Sequence, residues 1–121
     1  MGETELLDML AAETDRRTST ICDGVKALSK SGDADSKQVE SLRVEVHGIK
    51  GAALMVGQHR LAKIGAWVED TLADHIDSGE IDKQLGKTII DYVEAIQEGA
   101  HAAAAGKDEP SSVGKALDSI G

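Results

Sequence analysis

Leu42-Arg43-Val44-Glu45-Val46-His47-Gly48-Ile49-Lys50-Gly51-Ala52-Ala53-Leu54-Met55-Val56-Gly57 is the most informative run in the chain. Leu42, Val46, Ile49, Ala53 and Val56 recur at intervals of four, three, four and three, which draws one apolar stripe along a helix. At about 100° per residue, His47 stands roughly 140° from the centre of that stripe. The periodicity therefore predicts a helix whose core face excludes His47. Glu40, Val44, Gly51 and Leu54 share the outer face with it. Such a face ordinarily carries Lys, Glu and Gln. Here small and apolar residues surround an imidazole, and Gly51 costs about 1 kcal/mol relative to Ala in a helix interior. An exposed histidine is ordinarily just solvated, and a mid-helix glycine ordinarily marks close packing. It is their conjunction, with Lys50 within reach, that points to chemistry.

Working outward, the same spacing argument places three further helices. The first spans about Glu3 to Lys30, carrying Leu7, Leu10, Ile21, Val25 and Leu28, with a polar middle from Thr14 to Thr20 where a break is allowed. Ser31-Gly32-Asp33 stops it, and Asp35 or Ser36 caps the next, which ends near Gly57. The third runs from there to Asp77-Ser78-Gly79 with Leu61, Ile64, Val68, Leu72 and Ile76. The fourth runs from about Asp82 to Gly106 with Leu85, Ile89, Tyr92 and Ile96. Residues 107–112 read as a linker, followed by a short helix over Val113–Ile120 capped by Ser111 or Ser112. Short connections favour antiparallel neighbours. The expectation is an all-α, antiparallel up-down four-helix bundle over residues 1–106, with a linker and short extra helix over 107–121.

Composition agrees. Aromatics are 2% of the 121 residues and Phe is absent, so the core must be aliphatic, which suits helix packing better than sheets. The formal net charge is −9, with 22 acidic and 13 basic residues and no basic run, which argues against nucleic acid and anionic lipid as partners. Cys22 is the only cysteine, so no internal disulfide forms and a reducing compartment is expected. Met1-Gly2-Glu3-Thr4-Glu5 lacks the features of a signal peptide, and Leu6 stands where a myristoylation motif needs Ser or Thr. No stretch has the length of a membrane span. A cytoplasmic protein is expected.

Glu69 completes the constellation. His47 lies ten residues before Gly57 and Glu69 eleven after Gln58, so in an antiparallel hairpin the two stand at nearly the same height. A carboxylate beside an imidazole accepts the Nδ1 proton, fixes the tautomer and frees the Nε2 lone pair.

With these residues in place, His47-Gly48-Ile49-Lys50-Gly51 resembles the His-x-x-Lys-Gly signature of histidine phosphotransfer domains, including the N-terminal module of chemotaxis histidine kinases. The resemblance extends from Leu42 to Leu72, through Gly57, Leu61 and Glu69. It implies that His47 accepts a phosphoryl group on Nε2 and that Lys50 offsets phosphoryl charge. It implies further that Gly51 leaves room for a partner and that Glu69 orients the imidazole. The partner face would comprise Val44, Gly48, Gly51 and Leu54. The partners implied are a histidine kinase catalytic domain and a response-regulator receiver domain. ATP and Mg²⁺ would belong to them, and the chain would be a monomeric phosphoryl carrier with no cofactor of its own. Some relay modules place an Arg four residues after the Glu69 position; this chain has Ala73, which leaves Lys50 as the one evident cation. Two other functions compete. One is a helical interaction module whose histidine is never phosphorylated. The other is a metal-binding bundle, disfavoured because the four histidines form no His-x-x-x-His pair.

Overall fold

The computed structural model describes residues 2–121, so Met1 of the N-terminal motif above, and the side chain of Glu3, lie outside it. Five helices follow one another: α1 Glu3–Ser31, α2 Ser36–Met55, α3 His59–Asp74, α4 Lys83–Ala104 and α5 Ser111–Ile120. There is no strand among the described residues. Helices α1 to α4 form a closed ring in which each packs on its sequence neighbours and α1 packs on α4, while the diagonal pairs stay apart. This is the expected four-helix bundle with a fifth helix added.

The aliphatic stripes point where the spacing placed them. Leu42, Val46, Ile49 and Ala53 of α2 are buried, as are Leu61, Ile64, Val68 and Leu72 of α3; Val56 and Ile76, at the ends, are half-buried. Each fully buried Leu, Ile or Val contributes about 1.5–3 kcal/mol of transfer free energy. The few aromatics stay off the central axis: Trp67 and Tyr92 meet edge-to-face, 5.1 Å between centroids, where α3 meets α4. Cys22 is buried as a small hydrophobe, and burial pushes its thiol pKa up.

The structure amends the expected boundaries at three points. α1 does not break at its polar middle. Thr14 and Thr18 face the interior, and the Thr14 hydroxyl donates to the Ala11 carbonyl at 2.8 Å, so it is satisfied without interrupting the helix. α3 ends at Asp74, earlier than Asp77-Ser78-Gly79, because residues 75–78 form a turn that Gly79 completes at φ +68°. α5 is capped by neither serine. Pro110 precedes its first residue and Ser112 Oγ instead donates to Glu98 of α4 at 2.7 Å. The caps at Asp35 and Asp82 are as expected, accepting from Gln38 N at 3.0 Å and Leu85 N at 2.8 Å. α5 lies on α3 and α4 and buries Val113 and Ala116, so it extends the core.

Two connections meet at one end of the bundle. Asp35 N–H donates to the Gly79 carbonyl at 2.8 Å, joining the α1–α2 turn to the α3–α4 loop. Gly79 sits so close that a Cβ there would lie 2.7 Å from the Asp35 and Ser36 nitrogens, and only glycine tolerates both the proximity and the positive φ.

Thr18 is the one core polar group left unpaired: its hydroxyl is buried with no hydrogen-bond partner among the described residues. Replacing it by the near-isosteric valine removes that penalty. Thr18→Val is expected to stabilise the fold by about 1 kcal/mol in denaturant unfolding, with the slope of the transition unchanged.

Candidate functional site

α2 and α3 pack closely enough to share a side-chain cluster because of Gly65. An added Cβ at that position would lie 3.3 Å from Lys50 Cβ, so the two helices approach there to van der Waals contact. One turn further along α3, and one turn back along antiparallel α2, Glu69 and His47 come level.

The pairing that the height argument placed is present: His47 Nδ1 lies 2.8 Å from Glu69 Oε2. A carboxylate can only accept, so Nδ1 carries the proton and, in the neutral ring, Nε2 holds the lone pair. His47 stands out from the bundle with its side chain 62% exposed, whereas Glu69 is 10% exposed. A buried carboxylate must be compensated, and this one is compensated at both oxygens. Lys50 Nζ holds Oε1 at 2.5 Å, where Oε1 has no other partner among the described residues. Burial pushes the Glu69 pKa up, but hydrogen bonds from Lys50 and His47, together with their charge, outweigh it and leave the carboxyl below its ordinary range.

Sequence reasoning missed a second cation. Arg43, one turn before His47 on the same face of α2, places Nη1 3.1 Å from the Glu69 oxygen that also receives His47. Its other nitrogens hold Glu40 at 2.9 and 2.7 Å. Lys50 is therefore not the only cation nearby. The signal was available: positions 43, 47 and 50 are spaced i, i+4 and i+7, so all three project toward one neighbour.

The outer face is less uniform than expected. Val44 is 50% and Leu54 48% exposed, and nothing lies within 4 Å of where a Gly51 Cβ would stand. Gly51 therefore has no packing reason to be glycine; it leaves open space beside the imidazole. Gly48 does the opposite. The Arg17 guanidinium of α1 lies over it, held by Glu13 and, at 3.0 Å, by Glu45, so a larger residue would displace that arginine. Gly48 is thus a contact between α1 and α2, not open surface. Leu6, Met9 and Met55 add apolar surface beside this face, around a groove of about 190 Å³ between α1 and α2.

The remaining candidates stay apart. Among the described residues no three His, Cys, Asp or Glu side chains gather to hold a metal. Glu98 and His101 do have a Glu-x-x-His spacing that the sequence reading passed over, but they diverge. Glu98 accepts from Ser112, and His101 Nε2 lies 2.7 Å from Asp15, which also accepts from Gln97. His75 Nδ1 donates to the Thr71 carbonyl at 2.8 Å. The absence of a basic run also needs qualifying. Folding gathers Lys26, Lys30, Lys83 and Lys87 around a groove of about 430 Å³ between α1 and α4, on the side of the bundle away from His47. Among the described residues no helix is long and apolar enough to cross a membrane.

Because the folded Glu69 pKa is depressed, its contribution to stability is complete above the ordinary Glu range and is lost as pH falls through the lowered value. Between pH 7 and pH 3 the wild type should therefore lose more stability than Glu69→Gln, read from melting temperatures at each pH. Comparison with curated proteins finds no match. The family model of the Hpt domain matches residues 5–99, which takes in α2, α3 and every residue of the Glu69 cluster. The chain belongs to the Hpt domain family, whose members serve histidine phosphotransfer in phosphorelay signalling.

Proposed function

We propose that this protein carries a phosphoryl group on His47 Nε2, accepting it from a histidine kinase and delivering it to the aspartate of a response-regulator receiver domain. The observation that carries this reading is the exposed imidazole whose Nδ1 is tied to Glu69 at 2.8 Å, which leaves Nε2 as the outward nucleophile. In the loading step the Nε2 lone pair attacks the γ-phosphorus of ATP, the N–P bond forms, and the P–O bond to ADP breaks. The Nδ1 proton stays on the ring, and Glu69 stabilises the positive charge that the ring then carries. In the unloading step a receiver carboxylate oxygen attacks phosphorus and the N–P electrons return to Nε2. The transition state is loose, so positioning and charge compensation supply most of the catalysis.

Within this scheme Glu69 orients the ring and Lys50, beside it, offsets phosphoryl charge. Gly51 leaves clearance for the partner, and Val44 and Leu54 offer apolar contact around the imidazole. Gly48 contributes by admitting Arg17. ATP and Mg²⁺ belong to the partner proteins in this reading, the carrier is a cytoplasmic monomer, and it is a substrate and donor, not an enzyme.

Two experiments test it. Incubation with histidine kinase catalytic domains and labelled ATP should give a base-stable, acid-labile phosphate on the wild type and none on His47→Gln; label retained in that variant, or no label from any kinase, sinks the proposal. The second separates clearance from stability. Gly51→Ala fills empty space and gains helix propensity, so it should be more stable than the wild type by up to about 1 kcal/mol. Gly51→Leu should also remain folded, yet transfer to a receiver should slow by about tenfold or more, which corresponds to roughly 1.4 kcal/mol of lost complementarity.

A further inference from the structure

Resting on that reading, we infer that Arg43 is a positioning residue that shares the Glu69 oxygen with His47 and so limits how far that carboxylate favours the non-nucleophilic imidazolium. A lone carboxylate against an imidazole carries a conflict. It orients the ring, but its charge also favours the imidazolium, in which Nε2 bears a proton and cannot attack phosphorus. The conflict is sharpened by the burial of Glu69, since Coulomb interactions strengthen away from water.

Arg43 resolves it by sharing the oxygen that His47 uses. Oε2 of Glu69 receives Nδ1 of His47 at 2.8 Å and Nη1 of Arg43 at 3.1 Å, while Oε1 receives Lys50 at 2.5 Å. Both oxygens are thus fixed, and the carboxylate has no freedom to turn away from the ring. The guanidinium is itself fixed, because its other two nitrogens hold Glu40. Two carboxylates and two cations around His47 make a neutral set, so the imidazole gains a hydrogen-bond acceptor without gaining a net negative neighbour.

The other charges that face His47 do not upset this balance. Among the described residues α2 packs on two helices, α1 and α3. From α1 come Arg17 and, bound to the same Glu13, Arg16, and these two cations are met by Glu13 and by Glu45 of α2. From α3 comes Glu69 alone, among the residues recorded in contact with the cluster.

The test reads the His47 imidazole by NMR titration of the isolated protein, with its signal assigned by its loss in His47→Gln. Arg43→Gln removes a cation while keeping a donor, and should raise the His47 pKa by about half a unit or more. Arg43→Lys keeps the charge and should restore most of that shift. Glu40→Gln, at an exposed carboxylate, should move the same titration down. Opposite shifts from two neighbouring neutralisations cannot come from loosening of the fold. The signals of His59, His75 and His101 should stay in place throughout. With phosphoramidate as a partner-free donor, the N–P bond to Nε2 forms as the donor's P–N bond breaks and ammonia leaves. Arg43→Gln should then be about threefold slower than wild type near pH 5.5, well below the ordinary imidazole range, and equal to it near pH 8.5, which is half a unit of pKa expressed as a rate. An unmoved titration in Arg43→Gln, or a downward shift there, overturns the role given to Arg43. Because the titration needs no phosphoryl donor, it stands or falls separately from the phosphocarrier reading, which fails if the wild type is never phosphorylated or if His47→Gln still is.

Discussion

A carboxylate almost withdrawn from water sets the terms for everything around it. Glu69 could not remain ionised at its depth without partners, because an isolated buried charge costs several kcal/mol. α2 supplies three of them from successive turns of one face, Arg43, His47 and Lys50. Once those contacts exist, α2 and α3 can neither slide by a turn nor rotate apart without uncovering that charge. The ion cluster therefore specifies register, whereas the aliphatic stripes beneath it supply most of the burial energy.

The cluster also divides the histidine into two functional halves. Nδ1 is committed to the protein interior, and Nε2 is presented to whatever approaches from solvent. Three glycines support this division in different ways. Gly65 brings α3 close enough for Glu69 to reach across. Gly48 admits the Arg17 guanidinium from α1. Gly51 has open space where a side chain would stand, and keeps one side of the imidazole clear. Substituting any one of them would disturb a different property: interhelical distance, the clasp between α1 and α2, or access.

Much of this was written in periodicity. Apolar residues at intervals of three and four fixed the helices and their inner faces, and counting outward from Gly57 was enough to pair His47 with Glu69. What escaped the sequence had specific causes. The polar middle of α1 suggested a break because propensity cannot register that Thr14 satisfies its hydroxyl on the preceding turn. Ser111 and Ser112 looked like caps because local chemistry cannot show that Glu98 competes for Ser112. Arg43 was overlooked because its role depends on a carboxylate 26 residues away. Gly48 passed for open surface because the residue that covers it belongs to α1.

The main-chain bond from Asp35 to Gly79 has a consequence for how such a carrier tolerates change. It joins two separate connections through groups that every amino acid except proline possesses, with glycine demanded at only one of the two positions. The alignment of the two hairpins is thus secured at one end of the bundle by the backbone. Surface side chains can be exchanged freely to suit different partners while the geometry around the imidazole is left untouched.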